Sequence, residues 1–171
     1  MRVTFTRTGE RRYRISVTGP GVVESWMEPA PGYDARLPHD MAHFVVENEL
    51  GIKGGVFGQL AAGGTANTFH PVDEARKRNL VKRGRKIAAR ERKDALLSER
   101  CVAVACGRWT NDPLAPKMAE GVAEHDIERI CRAFDMVSAK WRGLRIGESM
   151  VLTWSGETRT KVKVPRSAGP G

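Results

Sequence analysis

The chain has 171 residues, with 29 Lys and Arg against 20 Asp and Glu, giving a formal net charge of +9. Its length suits one domain with a single core, and a hydrophobic fraction of 40% is lean but globular. No apolar run approaches the roughly 18 residues of a membrane span, and Met1–Arg7 lacks the apolar core of a signal peptide, so a cytoplasmic protein without a membrane partner is expected.

The first segments alternate with a period of two. Val3 and Phe5 lie on one side with Thr4 and Thr6 on the other, and Tyr13, Ile15 and Val17 repeat the pattern, which predicts two half-buried strands. Thr8–Arg11 forms the hairpin connection. Gly19-Pro20-Gly21 turns the chain into a third strand within 22–27. A proline-stiffened loop, residues 28–34, then brings Tyr33 and Asp34 to the start of the next element.

That element is a helix over 38–50. Pro38 suits its first position, Asp40 its first turn and Gly51 its left-handed close. Met41, Ala42, Phe44, Val45, Val46 and Leu50 supply a wide apolar face. His39 and His43 are i and i+4, about 6 Å apart along the axis on one face. Two imidazoles so spaced can grip one divalent metal, zinc most naturally. The pattern His-Asp-x-x-His is similar to the His-Glu-x-x-His helix of zinc peptidases, with Asp40 where the general-base Glu stands. Asp40 and Glu47 are therefore the candidate groups to position or deprotonate a metal-bound water. A third ligand has to come from elsewhere: His70, His125, an acid or a cysteine. The same residues also have a bland reading, as a first-turn acid, an exposed histidine and a half-buried histidine beside Phe44.

The segment Leu37-Pro38-His39-Asp40-x-x-His43-Phe44-x-Val46-Glu47, with the glycine-rich stretch after it, resembles a group of bacterial, largely actinobacterial, proteins of similar length. The resemblance extends along most of the chain and implies neither an activity nor catalytic residues.

Gly58 to Thr65 mimics the spacing of a phosphate-binding loop, but Gly64 stands where the lysine belongs, so no nucleotide cofactor is expected. A short helix near 56–62, whose small residues permit close packing, is the better reading. Residues 65–72 form a loop holding His70. Residues 73–109 are helical, with Gly84 as a break or kink and a buried helix over 92–108.

The excess charge is confined to one window. Arg76, Lys77, Arg78, Lys82, Arg83, Arg85, Lys86, Arg90, Arg92 and Lys93 face a single acid, Glu91. So dense a cationic segment attracts nucleic acid or another polyanion by counterion release. It has no aromatic residue to stack on bases, and a solvated surface helix is the alternative.

Residues 111–121 form a loop. Ile127, Ile130, Phe134, Val137 and Trp141 predict a helix over 123–142, and Met150, Leu152 and Trp154 predict a strand in 148–154 that pairs with the N-terminal hairpin. Residues 156–171 read as a disordered basic tail behind a domain spanning 1–155. Cys101, Cys106 and Cys131 are odd in number and form no Cys-x-x-Cys pair, so free thiols are expected.

The order of strands, helices and a final strand predicts an α+β domain: a small antiparallel sheet with four or so helices on one face. Functionally, the residues point to a metal-dependent, hydrolase-like protein built on His39 and His43. The alternatives are a nucleic-acid or polyanion binder using 76–93 and a non-catalytic adaptor.

Overall fold

The computed structural model describes residues 1–119 and 121–155; the expected basic tail lies outside them. Two long strands, β1 (Arg2–Gly9) and β2 (Arg12–Thr18), form the hairpin, with Val3 opposite Val17 and Phe5 opposite Ile15. β3 (Ser25–Met27) pairs with β2, and the predicted C-terminal strand, β5 (Ser149–Thr153), pairs with β1. The loop at 65–72 contributes a two-residue strand, β4 (His70–Pro71), which completes an antiparallel sheet of order β4-β3-β2-β1-β5. Two residues are too few for an alternation to be read from sequence.

Alternation along the strands decides which face is covered. Val3, Phe5, Tyr13, Ile15 and Val17 are fully buried, while Thr4, Thr6, Arg14 and Ser16 between them are only partly so. Among the described residues, five helices cover the sheet: α1 (His39–Leu50), α2 (Val56–Ala61) and α5 (Glu124–Gly143) meet the apolar face, α4 (Arg92–Thr110) packs on α1 and α5, and α3 (Lys77–Arg90) contacts β4 and α2. Phe5 meets Phe44 of α1 and Phe57 of α2, and Tyr13 meets Trp141 of α5, all as edge-on or tilted rings.

α1 occupies the centre, packed between α4, α5 and α2. Pro38 precedes it and Gly51 closes it at φ +66°. Its apolar face is wider than one stripe: nine of its residues are buried, including Asp40, His43 and Glu47. Polar groups buried in such a helix must find partners within the fold.

α3 runs unbroken through Gly84, against the expected kink. A Cβ there would lie 2.4 Å from the Thr65 side-chain oxygen, so Gly84 is where α3 seats on the loop before β4. The helix instead breaks at Glu91, between α3 and α4. No helix among the described residues is long and apolar enough to cross a membrane.

Candidate metal centre

His39 and His43 project from the first two turns of α1 toward α4. His39 is exposed and His43 is buried. Their Nε2 atoms lie 3.2 Å apart, with the rings edge to face. Glu99, the eighth residue of α4, brings Oε2 to 3.5 Å from His43 Nε2. The ligand atoms of His39, His43 and Glu99 all fall within 4.8 Å of one another. Two nitrogens bound tetrahedrally to one zinc ion at ordinary bond lengths are separated by about 3.3 Å, so the 3.2 Å spacing, which also suits a hydrogen bond between the rings, could accept a single ion.

A short relay fixes the tautomer of His43. Ser98 Oγ donates to Glu47 Oε1 at 2.8 Å. Its one proton is thereby used, so at 3.0 Å it accepts from His43 Nδ1–H. The remaining ring nitrogen, Nε2, then faces His39 and Glu99, and in the neutral ring it carries the lone pair. An outer hydrogen bond of this kind orients a metal-bound imidazole and raises its basicity. Burial alone would lower the pKa of His43, but Glu47, Glu99 and Asp40 outweigh it and the net direction is upward.

Glu47 itself is fully buried. Its carboxylate accepts the N–H groups of Val56 and Phe57 at 2.9 and 2.8 Å, and of Gly58 at 3.4 Å, which are the unpaired amides at the start of α2. Gly55 makes this possible, since a Cβ there would sit 2.2 Å from the carboxylate. Glu47 therefore ties α2 to α1 and steadies Ser98. It meets His43 at Nδ1, 3.6 Å away, on the opposite side of the ring from Nε2.

Asp40 points toward the sheet. Tyr13 Oη lies within hydrogen-bonding reach of both Asp40 Oδ2 and the Pro31 carbonyl. Tyr13 Oη is the donor, its one proton shared between the Asp40 carboxylate and the Pro31 carbonyl. Burial pushes the Asp40 pKa upward, although the Tyr13 hydrogen bond and the two histidines pull the other way. Neither acid expected to handle a proton at the site thus faces the Nε2 side.

The other suggested ligands stand elsewhere. His70 pairs with Trp26 in the sheet, and exposed His125 faces Asp126 on α5. The cysteines are free, and burial pushes the thiols of Cys101 and Cys106 up to about 11. The candidate third ligand is an acid, Glu99, which the sequence left open by type but did not single out by position. Ser98 carried a signal, being a hydroxyl three and seven residues before Cys101 and Ala105 on a buried face. Glu99 carried none, because its approach to His43 depends on how α1 and α4 cross.

Each histidine borders a different cavity. His43, Glu99, Ser98 and Arg92 help to wall one of about 270 Å³. Asn67 at φ +62° and Ala66 at φ +43° also line it. His39 borders another of about 250 Å³, with Arg36 stacked over Trp109. Of the ten basic residues in 76–93, only Arg92 reaches either wall. All but Lys77 are exposed; Lys77 pairs with Glu74 and Arg90 with Glu91.

No protein-family model, curated protein or solved structure matches this chain. The functional reading accordingly stands on the site's own geometry.

Proposed function

We propose that the chain is a metal-dependent, hydrolase-like protein whose divalent ion, zinc by its donor set, rests on His39 Nε2, His43 Nε2 and the Glu99 carboxylate. The observation that carries this reading is the relay Glu47–Ser98–His43, which turns His43 Nε2 toward His39 Nε2 at 3.2 Å. Two imidazoles and one carboxylate are a donor set found in catalytic zinc sites, where the ion retains a position for water and acidifies it. Within the chain, Glu47 and Ser98 act as positioning residues for His43, and Asp40 fastens α1 to the sheet through Tyr13. The two adjoining cavities supply space for a substrate.

Elemental analysis of the purified protein tests this directly. The expected result is one equivalent of a divalent metal per chain, lost in His39→Ala and Glu99→Gln, both of which alter exposed side chains. Metal added at a hundredfold excess over its dissociation constant stabilises the native state by about 2.7 kcal/mol, a Tm rise of roughly 5–10 °C at this size. Ser98→Ala keeps all three ligands and is expected to weaken metal binding about 10–100-fold. Protein that purifies metal-free and gains no heat stability from zinc, manganese or iron overturns the reading.

A further inference from the structure

We infer that the metal centre acts on the phosphodiester backbone of a nucleic acid strand held along the cationic face of α3. The inference rests on the metal-centre reading above and assigns its substrate class. Ala88 of α3 and Arg92, the first residue of α4, wall the same cavity as His43 and Glu99. The basic helix therefore ends at the rim of the candidate centre.

The face that α3 turns outward is ordered. Leu80, Gly84 and Ile87, at i, i+4 and i+7, form the inner side on which the helix seats. Arg78, Lys82 and Arg85 repeat that spacing on the opposite side, with Lys86 beside them, and all four are exposed. Among the described residues none of these four makes an ion pair, whereas Lys77 and Arg90 at the ends of the helix do. Along the axis the charges of the stripe fall about 6 and 4.5 Å apart. A ligand complementary to such a row carries a repeating negative charge.

Arg92 distinguishes among polyanions. In a nucleic acid the repeating charge is also the reactive group, so a cation row that leads to a metal centre delivers a cleavable bond to it. In an acidic peptide the charges lie on side chains and the amide bonds are neutral, leaving Arg92 no role beside the ligands. A guanidinium and a divalent ion together suit the charge on a phosphoryl group. The reaction is a hydrolysis: water supplies its oxygen to phosphorus, one P–O ester bond breaks, and the departing oxygen takes up a proton. The products are a phosphomonoester and an alcohol, and nothing is oxidised or reduced.

The test uses the full chain with a fluorescein-labelled single-stranded DNA or RNA of about 16 nucleotides. Anisotropy is measured in EDTA, and cleavage is followed with zinc or manganese. Binding is expected at about 50 mM salt and lost steeply by about 200 mM. The quadruple variant R78A/K82A/R85A/K86A should bind at least tenfold more weakly, with a salt slope shallower by about 3. Arg92→Ala should retain binding to within about threefold while losing metal-dependent cleavage at least tenfold, and Arg92→Lys should recover part of it. Circular dichroism confirms that the variants remain folded.

Metal-loaded protein that neither binds nor cuts the oligonucleotide overturns the inference and leaves the metal centre standing. Polyglutamate binding as tightly, with no cleavage, also overturns it and assigns α3 to an acidic protein. Oligonucleotide binding by protein that holds no metal overturns the metal-centre reading and the cleavage with it, and elemental analysis reports that independently.

Discussion

Asp40 and Glu47, two acids of one helix, do different work because they leave α1 on different sides. Glu47 meets only donors: three amides and a serine hydroxyl. Asp40 meets one phenol, whose proton it shares with a carbonyl, and burial outweighs that bond so that its pKa is raised. This gives a pH dependence whose sign can be worked out. The native pKa of Asp40 lies above its unfolded value of about 3.9. The native state therefore holds the proton more tightly, and the stability this contributes is complete below about pH 3.9 and lost as pH rises through the native value. Asn at position 40 offers an amide oxygen to the Tyr13 hydroxyl and does not titrate. In urea melts in EDTA, Asp40→Asn should gain stability relative to wild type as pH rises from about 4. Parallel curves for the two proteins would show that the fold does not raise the Asp40 pKa.

At the scale of elements, most boundaries follow from local chemistry. Pro38, Asp40 and Gly51 bracket α1, and the alternation of Val3, Phe5, Tyr13, Ile15 and Val17 specifies both the hairpin and its buried face. The return of 149–153 to β1 was legible because Met150 and Leu152 continue the same alternation. What stayed hidden depends on contacts distant in sequence. Gly84 reads as a weak point in any helix scale, yet here it is a docking surface against Thr65. Glu99 becomes a candidate ligand only through the α1–α4 crossing. The glycine can be tested. On propensity alone Gly84→Ala would stabilise α3 by about 1 kcal/mol. The new methyl, however, meets the Thr65 hydroxyl at 2.4 Å and its backbone nitrogen at 2.9 Å. Backbone cannot yield as a flexible side chain can, so the steric term wins. Gly84→Ala should lower the thermal midpoint, and a midpoint at or above that of wild type would mean that α3 seats more loosely than described.

Across the whole molecule, burial and charge are divided between two regions. α1 is enclosed by α2, α4 and α5, while α3 buries only Gly84 and Ile87 yet carries most of the segment responsible for the +9 net charge. Stability should be correspondingly uneven, since helices with few buried apolar contacts open locally at low free energy. Like charges on α3 repel one another across the solvent-exposed face, and salt screens that repulsion within a Debye length of about 10 Å at 0.1 M. Added salt should therefore hold α3 closed more of the time, even as it weakens any polyanion bound there. Native-state hydrogen exchange separates the two regions. Amides of α3 should exchange more slowly as salt rises from about 50 to about 200 mM, while amides of α1, enclosed by apolar packing, change little. The R78A/K82A/R85A/K86A variant should show slow α3 exchange already at low salt. If α3 amides exchange at the same rate at both salt concentrations, self-repulsion is not what sets the opening of this helix, and its few buried contacts alone govern it.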